Sequence, residues 1–329
     1  MNDFENMNEN EKNSLLASVS SLYYEHDMTQ SQIAERLFTS RSKISRLLKE
    51  ARDKKIVEII IKEPWERLMD IENEFMKRFK LKHVRIINTK GSSNELALIK
   101  LGEIAAYFID AKINKNTILG ISWGNTIYNT VQSLKSNKNI PLTVVQIMGA
   151  ALKDKPEIDG IDLVKQFAKI YGGKYHYLLA PLFVEDKDMR DKLIRDPYIS
   201  DTLSLAKRAT IILTSVGSID STISNTAWSK YIDSYTQYAL QSSGAVGHIG
   251  GRFYDINGKQ IESELNNTII GIDLDDFYNA PDVICVAGSK EKSKAILGAI
   301  KGKYIKTLII DDTAALKILE LDDENHSHN

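Results

Sequence analysis

Residues 118–128 read ILGISWGNTIY: an apolar run breaks into small residues at Gly120, Ser122 and Gly124, then resumes a helical pattern. A short apolar, β-branched run that ends in glycine and then takes up a helical period marks a strand turning directly into a helix. Gly120 and Gly124 let backbone amides approach an anion closely, and Ser122, Asn125 and Thr126 offer side-chain hydrogen bonds. A helix over 124–134 would present its N-terminal N–H groups and partial positive charge to the same place. The stretch therefore reads as a phosphate cradle at the end of a β-strand. Taken by itself, a Gly-Ser turn fits a purely structural turn equally well.

From about residue 82 onward the same alternation repeats. Strand-like runs occur at HVRIIN, TILGIS, LTVVQIMG, YHYLLA, ATIILTSVG, NTIIGI, DVICVAG and IKTLIIDD, with amphipathic stretches between most of them at 94–112, 124–134, 160–171, 289–300 and 312–319. Strands alternating with helices predict an α/β domain over 82–320 with a largely parallel, doubly wound sheet covered on both faces. Ligands of such sheets gather at the carboxyl ends of the strands, so the other strand-end turns become candidates too. VVQIMGAAL offers Gln146, Met148 and Gly149, and SVGSID offers Gly217 beside Ser218. GAVGHIGGRFYDINGK places His248 among glycines and closes in DINGK, read as a hairpin turn. VAGSKEKSKAI places Lys292 in the first turn of a helix.

Upstream the pattern is wholly helical. Residues 1–10 are Asn/Glu-rich and read as a disordered tail, and 321–329 as a second tail. Between them, 11–62 opens with Leu15, Leu16, Val19, Leu22 and Tyr23 on one helical face. Two short helices follow: one capped by Thr29 with Ile33, Ala34 and Leu37 inward, and one capped by Ser40 with Ile44, Leu47 and Leu48 inward. Such a pair, with a basic second helix, describes a helix-turn-helix. The outward face of that second helix carries Arg41, Ser42, Lys43, Ser45, Arg46 and Lys49, residue types suited to base edges and phosphates. Phe38 occupies the turn position where glycine is often placed to allow positive φ. IVEIII at 56–61 reads as a strand, which suits a winged variant. A helix over 63–81, with Trp65, Leu68, Ile71, Phe75 and Phe79 at intervals of three and four, would serve as a linker or dimerisation element.

Charge follows the same division. The 329-residue chain has a formal net charge of −1, yet residues 29–62 hold nine Lys/Arg against four Asp/Glu, a net of +5 that leaves −6 elsewhere. That segregation is what a DNA-binding module on a non-binding body requires. Cys285 is the single cysteine, which excludes an intrachain disulfide and a Cys-based zinc site. No cofactor motif and no metal ligand set is read. The polar, acidic start is unlike a signal peptide and no apolar run approaches ~20 residues, so the expectation is a cytoplasmic protein without a membrane partner.

At this point a resemblance can be stated. YYEHDMTQSQIAERLFTSRSKISRLLKEARDKKIVEI resembles the N-terminal domain of the SorC family of bacterial sugar-responsive transcriptional regulators. The likeness continues through ILGISWGNTIY, VVQIMGA, GAVGHIGGRFYDINGKQI and VICVAGSKEKSKAILGAIKGKYIKTLIIDDTAA, and so covers nearly the whole chain. It implies a winged helix-turn-helix joined to a Rossmann-like effector domain similar to sugar-phosphate isomerases, assembled as a homodimer or homotetramer. The implied partners are operator DNA and a phosphorylated sugar or polyol. The implied effector residues are Ser122, Gly124, Asn125, Thr126, Gln146, Met148, Gly149, Gly217, His248 and Lys292, with Lys292 reaching the phosphate or hydroxyls. Two positions depart from the family pattern. Met148 stands where relatives place Lys or Arg, and it cannot form a Schiff base with an aldehyde sugar. His248 stands where Asp is usual, exchanging an acceptor for a group expected to titrate near neutrality.

The competing reading is a sugar-phosphate isomerase or deaminase-like enzyme. Such an enzyme needs a general base close to the sugar carbons. The mapped loops offer Met148, His248 and Lys292 but no carboxylate, and a DNA-binding domain has no purpose in a plain isomerase. No catalytic residue is assigned, and the expected function is that of a sensor.

Overall fold

The computed structural model describes residues 7–57, 65–151, 156–219, 228 and 231–327. The chain divides into two compact units, Met1–Pro64 and Trp65–Asn329. The described residues of the first hold three helices: α1 (Glu9–Tyr24), α2 (Gln30–Arg36) and α3 (Arg41–Asp53). Each begins at a side-chain cap. Asn8 and Glu11 form a capping box on α1, Thr29 and Gln32 do the same on α2, and the Ser40 hydroxyl accepts from the Lys43 N–H at 3.2 Å. Helix α1 therefore starts inside the segment expected as a tail, because Asn8 and Glu11 satisfy its first N–H groups. Leu16, Val19, Ile33, Ala34, Ile44, Leu47, Leu48 and Ala51 make one small core at the helix crossing. Ile56 and Val57 turn back on the end of α3, both N–H groups donating to the Ala51 carbonyl. The remainder of the expected wing strand, from 58, lies outside the described residues.

The second unit opens with α4 (Met69–Phe79), β1 (His83–Ile87), α5 (Asn94–Lys112), β2 (Ile118–Ile121), α6 (Asn125–Ser133) and β3 (Thr143–Gln146). It continues with α7 (Gly160–Tyr171), β4 (Lys174–His176), α8 (Lys187–Leu193), α9 (Pro197–Lys207), β5 (Ile211–Thr214) and β6 (Val216–Ser218). Then come α10 (Ser234–Ser242), β7 (Ala245–Ile249), β8 (Arg252–Asp255), α11 (Glu264–Thr268), α12 (Leu274–Asn279), β9 (Val283–Val286), α13 (Ser293–Lys301), β10 (Thr307–Asp311) and α14 (Asp312–Ser327). Helix α14 runs on into the segment expected as a C-terminal tail, where Asp322 is held by Arg78 at 2.8 Å.

Seven strands form one parallel sheet in the order β1-β10-β9-β5-β2-β3-β4. Every residue of β5, β9 and β10 is buried, as a sheet covered on both faces requires. Cys285 sits in β9, opposite Leu308 of β10 on one side and Thr214 of β5 on the other. Helix α4 packs on this sheet through the fully buried Phe75, and the buried Glu72 carboxylate accepts from the Ile86 N–H and pairs with Arg67 at 2.5 Å. A second, antiparallel sheet of β6-β7-β8 follows β5 directly.

The order of the large sheet carries the functional consequence. From β2 the chain winds outward through β3 to β4, then returns to lay β5 on the other side of β2. The winding direction therefore reverses between β2 and β5, and a crevice opens beyond their carboxyl ends. One expected strand is corrected. NTIIGI joins no sheet and makes only isolated bridges, Phe183 with Ile269 and Met148 with Gly271. Its backbone bonds run to loop segments on either side, with the Ile270 N–H donating to the Leu182 carbonyl and the Gly149 N–H to the Ile270 carbonyl, both at 2.9 Å. The buried Arg252 guanidinium donates to the carbonyls of Ile269 (3.3 Å) and Ile272 (3.4 Å).

Candidate functional site

The crevice between β2 and β5 holds a cavity of about 280 Å³. Ser122, Gly124, Asn125 and Thr126 reach it from the β2–α6 connection, Met148 from the end of β3, Gly217 and His248 from the antiparallel sheet, and Lys292 from the turn after β9. Gly124 is the N-cap of α6 at φ +124°, a conformation open to glycine alone, and no side chain caps the helix behind it. The first turn of α6 thus aims its N–H groups and positive dipole end at the cavity.

Two expected lining residues are elsewhere. Gln146 is fully buried: its amide donates to the Met148 carbonyl at 2.7 Å and accepts from the Leu178 N–H at 3.0 Å, so it braces the loop from behind. Gly149 lies outside the lining as well, and its carbonyl accepts from the Trp123 indole N–H at 2.8 Å. Trp123 is thereby both core and wall. Ser215, Val216, Trp228, Gly250 and Gly251 complete the lining. Trp228 carried no periodic signal, because it belongs to neither a strand run nor an amphipathic stretch.

His248 is the residue most altered by its surroundings. Gly217 of β6 pairs with it in register, and a Cβ on Gly217 would overlap its ring. The Trp228 ring lies against it, tilted by 40° with ring centroids 4.4 Å apart, and Phe253 lies 5.3 Å away. Burial, aided by the charge of Lys292, pushes its pKa down to about 3. This corrects the expectation of titration near neutrality, since desolvation among aromatic rings disfavours the charged imidazolium. Burial also lowers the pKa of Lys292, opposed in part by Cys285 and Asp311. The Asp311 carboxylate is committed to local bonds, accepting from the Ser289 N–H (2.6 Å), the Ala314 N–H (2.8 Å) and the Thr313 hydroxyl (2.8 Å). Among the described residues no Asp or Glu lines the cavity. An uncapped helix end, the Lys292 amine and several hydroxyls around a small volume can hold an anion.

In the N-terminal unit, Arg41, Ser42, Ser45, Arg46 and Lys49 are exposed along one side of α3, with Lys43 half-buried. Glu50, one of the two acidic residues of α3 beside Asp53, is engaged by Lys12 and Lys54 of the same unit.

Among the described residues, no helix is long and apolar enough to cross a membrane. A family of sugar-binding domains, Sugar-bind, matches residues 63–320, and sigma-70 region 4, a helix-turn-helix region, matches 8–54. The chain is 29% identical to the deoxyribonucleoside regulator of Bacillus subtilis over 93% of its own length and 97% of that protein's. It is 27% identical to the sorbitol operon regulator of Klebsiella pneumoniae, covering 93% of this chain and 98% of the relative. The crystal structure of the full-length sorbitol operon regulator SorC from Klebsiella pneumoniae superposes with a TM-score of 0.73 at 26% identity, covering 93% of this chain and 98% of that one. A basic helix-turn-helix, a parallel sheet with a crevice at its strand ends and these likenesses along the chain lead to one conclusion: it belongs to the SorC family of sugar-responsive transcriptional regulators.

Proposed function

We propose that the effector of this regulator is a small phosphorylated sugar or polyol, bound in the β2–β5 crevice, and that its binding changes the affinity of α3 for operator DNA. The observation that carries the reading is the convergence of the uncapped α6 N-terminus and the Lys292 ammonium on one cavity of about 280 Å³. Dipole, ammonium and the Ser122 and Thr126 hydroxyls suit a phosphate dianion, and the volume suits a short carbon chain. Arg41, Ser42, Lys43, Ser45, Arg46 and Lys49 supply the DNA contacts. A homodimer or homotetramer supplies the paired helices that a two-fold operator needs. Met148 has no amine to condense with an aldehyde, so that position holds the ligand without a covalent bond. The protein acts as a sensor and not an isomerase: His248, with its pKa near 3, is too weak a base for enolisation, and no described lining carboxylate replaces it.

A thermal-shift screen of the full chain against sugar phosphates, polyol phosphates and their unphosphorylated counterparts tests this reading. A phosphate ester at 100 times its Kd stabilises the second unit by about 2.7 kcal/mol, and Lys292→Met abolishes the shift. Equal shifts from unphosphorylated sugars, or a full shift in Lys292→Met, would remove the phosphate from the account.

A further inference from the structure

Helix α2 ends in a Schellman-type closure: the Thr39 N–H donates to the Ala34 carbonyl at 2.8 Å and the Phe38 N–H to the Glu35 carbonyl at 3.2 Å. The geometry places Phe38 at the left-handed position of that closure, with φ +49°. Where a helix ends this way the position is usually glycine because a Cβ there is strained, and a bulky side chain is a true outlier. Phe38 carries a second anomaly. Its side chain is 93% exposed, so it contributes nothing to the small core that Ile33, Ala34, Ile44 and Leu47 build behind it. Strain without burial is a conformation that the isolated unit gains nothing from.

The neighbours say what covers the ring. Phe38 is two residues before Ser40, the cap of α3, and is followed by the exposed Arg41, Ser42, Ser45 and Arg46. A partner brought to that positive end is a polyanion, and the first residues of a recognition helix are the ones that meet base edges. The major groove of DNA displays one apolar group, the thymine C5-methyl. We propose that Phe38 is a specificity-determining residue that packs its ring on a thymine methyl beside the bases read by α3. This rests on the N-terminal unit being the DNA-binding module.

The test uses the full chain and duplexes that it selects from a random-sequence DNA pool. Phe38→Gly relieves the left-handed strain and removes the ring. It raises the melting temperature of the N-terminal transition by a few degrees, yet binds the selected duplex about 5–30-fold more weakly. The same duplex with deoxyuridine in place of thymidine, which lacks the methyl, weakens the native protein by a similar factor and leaves Phe38→Gly unaffected. A Phe38→Gly protein that binds the thymidine duplex as tightly as the native one overturns the proposal, as does a native protein indifferent to deoxyuridine. Arg46→Ala separates the two levels. If it selects and binds the same duplex with native affinity, the module assignment fails and this proposal with it; if it binds weakly while Phe38→Gly does not, only Phe38 is misassigned.

Discussion

His248 and Lys292 face one cavity, and burial lowers the pKa of both. It keeps His248 neutral, and for Lys292 a bound anion would oppose it by favouring the ammonium. For His248 this sets a pH dependence. The unfolded imidazole titrates near 6.5 and the folded one near 3, so between those values the unfolded chain binds the extra proton. The contribution is fully present above about pH 6.5 and is lost as pH falls toward 3. Urea midpoints at pH 7 and pH 5 should therefore fall further for the native protein than for His248→Gln. The difference is on the order of 1–2 kcal/mol, and an equal fall in both would mean that the ring is solvated. At this scale the sequence was a partial guide. Ser122, Gly124, Asn125 and Thr126 were legible because a strand-turn-helix junction is local. The bracing role of Gln146 was not, since its partners are the Met148 carbonyl and Leu178 N–H across the loop, and Trp228 joins His248 only through the fold.

At the scale of elements, helix ends were the most readable feature, because a cap and the N–H that it satisfies lie three residues apart. Thr29 and Ser40 both cap as their positions predicted. Removing one should be felt only locally. Ser40→Ala is expected to cost about 1 kcal/mol and to lower the melting transition of the N-terminal unit by about 4–8 °C, leaving that of the second unit in place. Differential scanning calorimetry of the full chain separates the two transitions, and a shift in both would show that the units melt together. Helices 94–112 and 160–171 were equally legible from their apolar period and have those bounds. NTIIGI misled because β-branched composition speaks for an extended backbone and not for a partner strand. Its partners are the loop residues Ile147, Gly149, Leu182 and Val184 and the Arg252 guanidinium, none of which lies within its own window of sequence.

For the molecule as a whole, alternation of strands and helices foretold a parallel sheet, but the order of its strands came only with the structure. That order puts the reversal between β2 and β5 and so puts the crevice proposed for the effector beside the middle of the sheet, not at an edge. The three-stranded antiparallel sheet, which brings Gly217 and His248 to the same crevice, was not visible beforehand, since the turn DINGK follows β8 and closes only on an isolated Tyr254–Gln260 bridge.

The placement of Cys285 gives the chain a built-in stopwatch. It is the single thiol, fully buried in β9 with a strand on either side, and burial pushes its pKa up to about 12. Ellman's reagent can reach it only when the centre of the sheet comes apart, so the colour that develops in native buffer counts openings of the sugar-binding domain without any engineered label. A metabolite that grips the closed domain at 100 times its Kd should slow that colour about 100-fold. Prompt reaction in the absence of denaturant would instead mean that the central strands part locally. An unmodified sample in a spectrophotometer could thus rank candidate effectors before any operator is known.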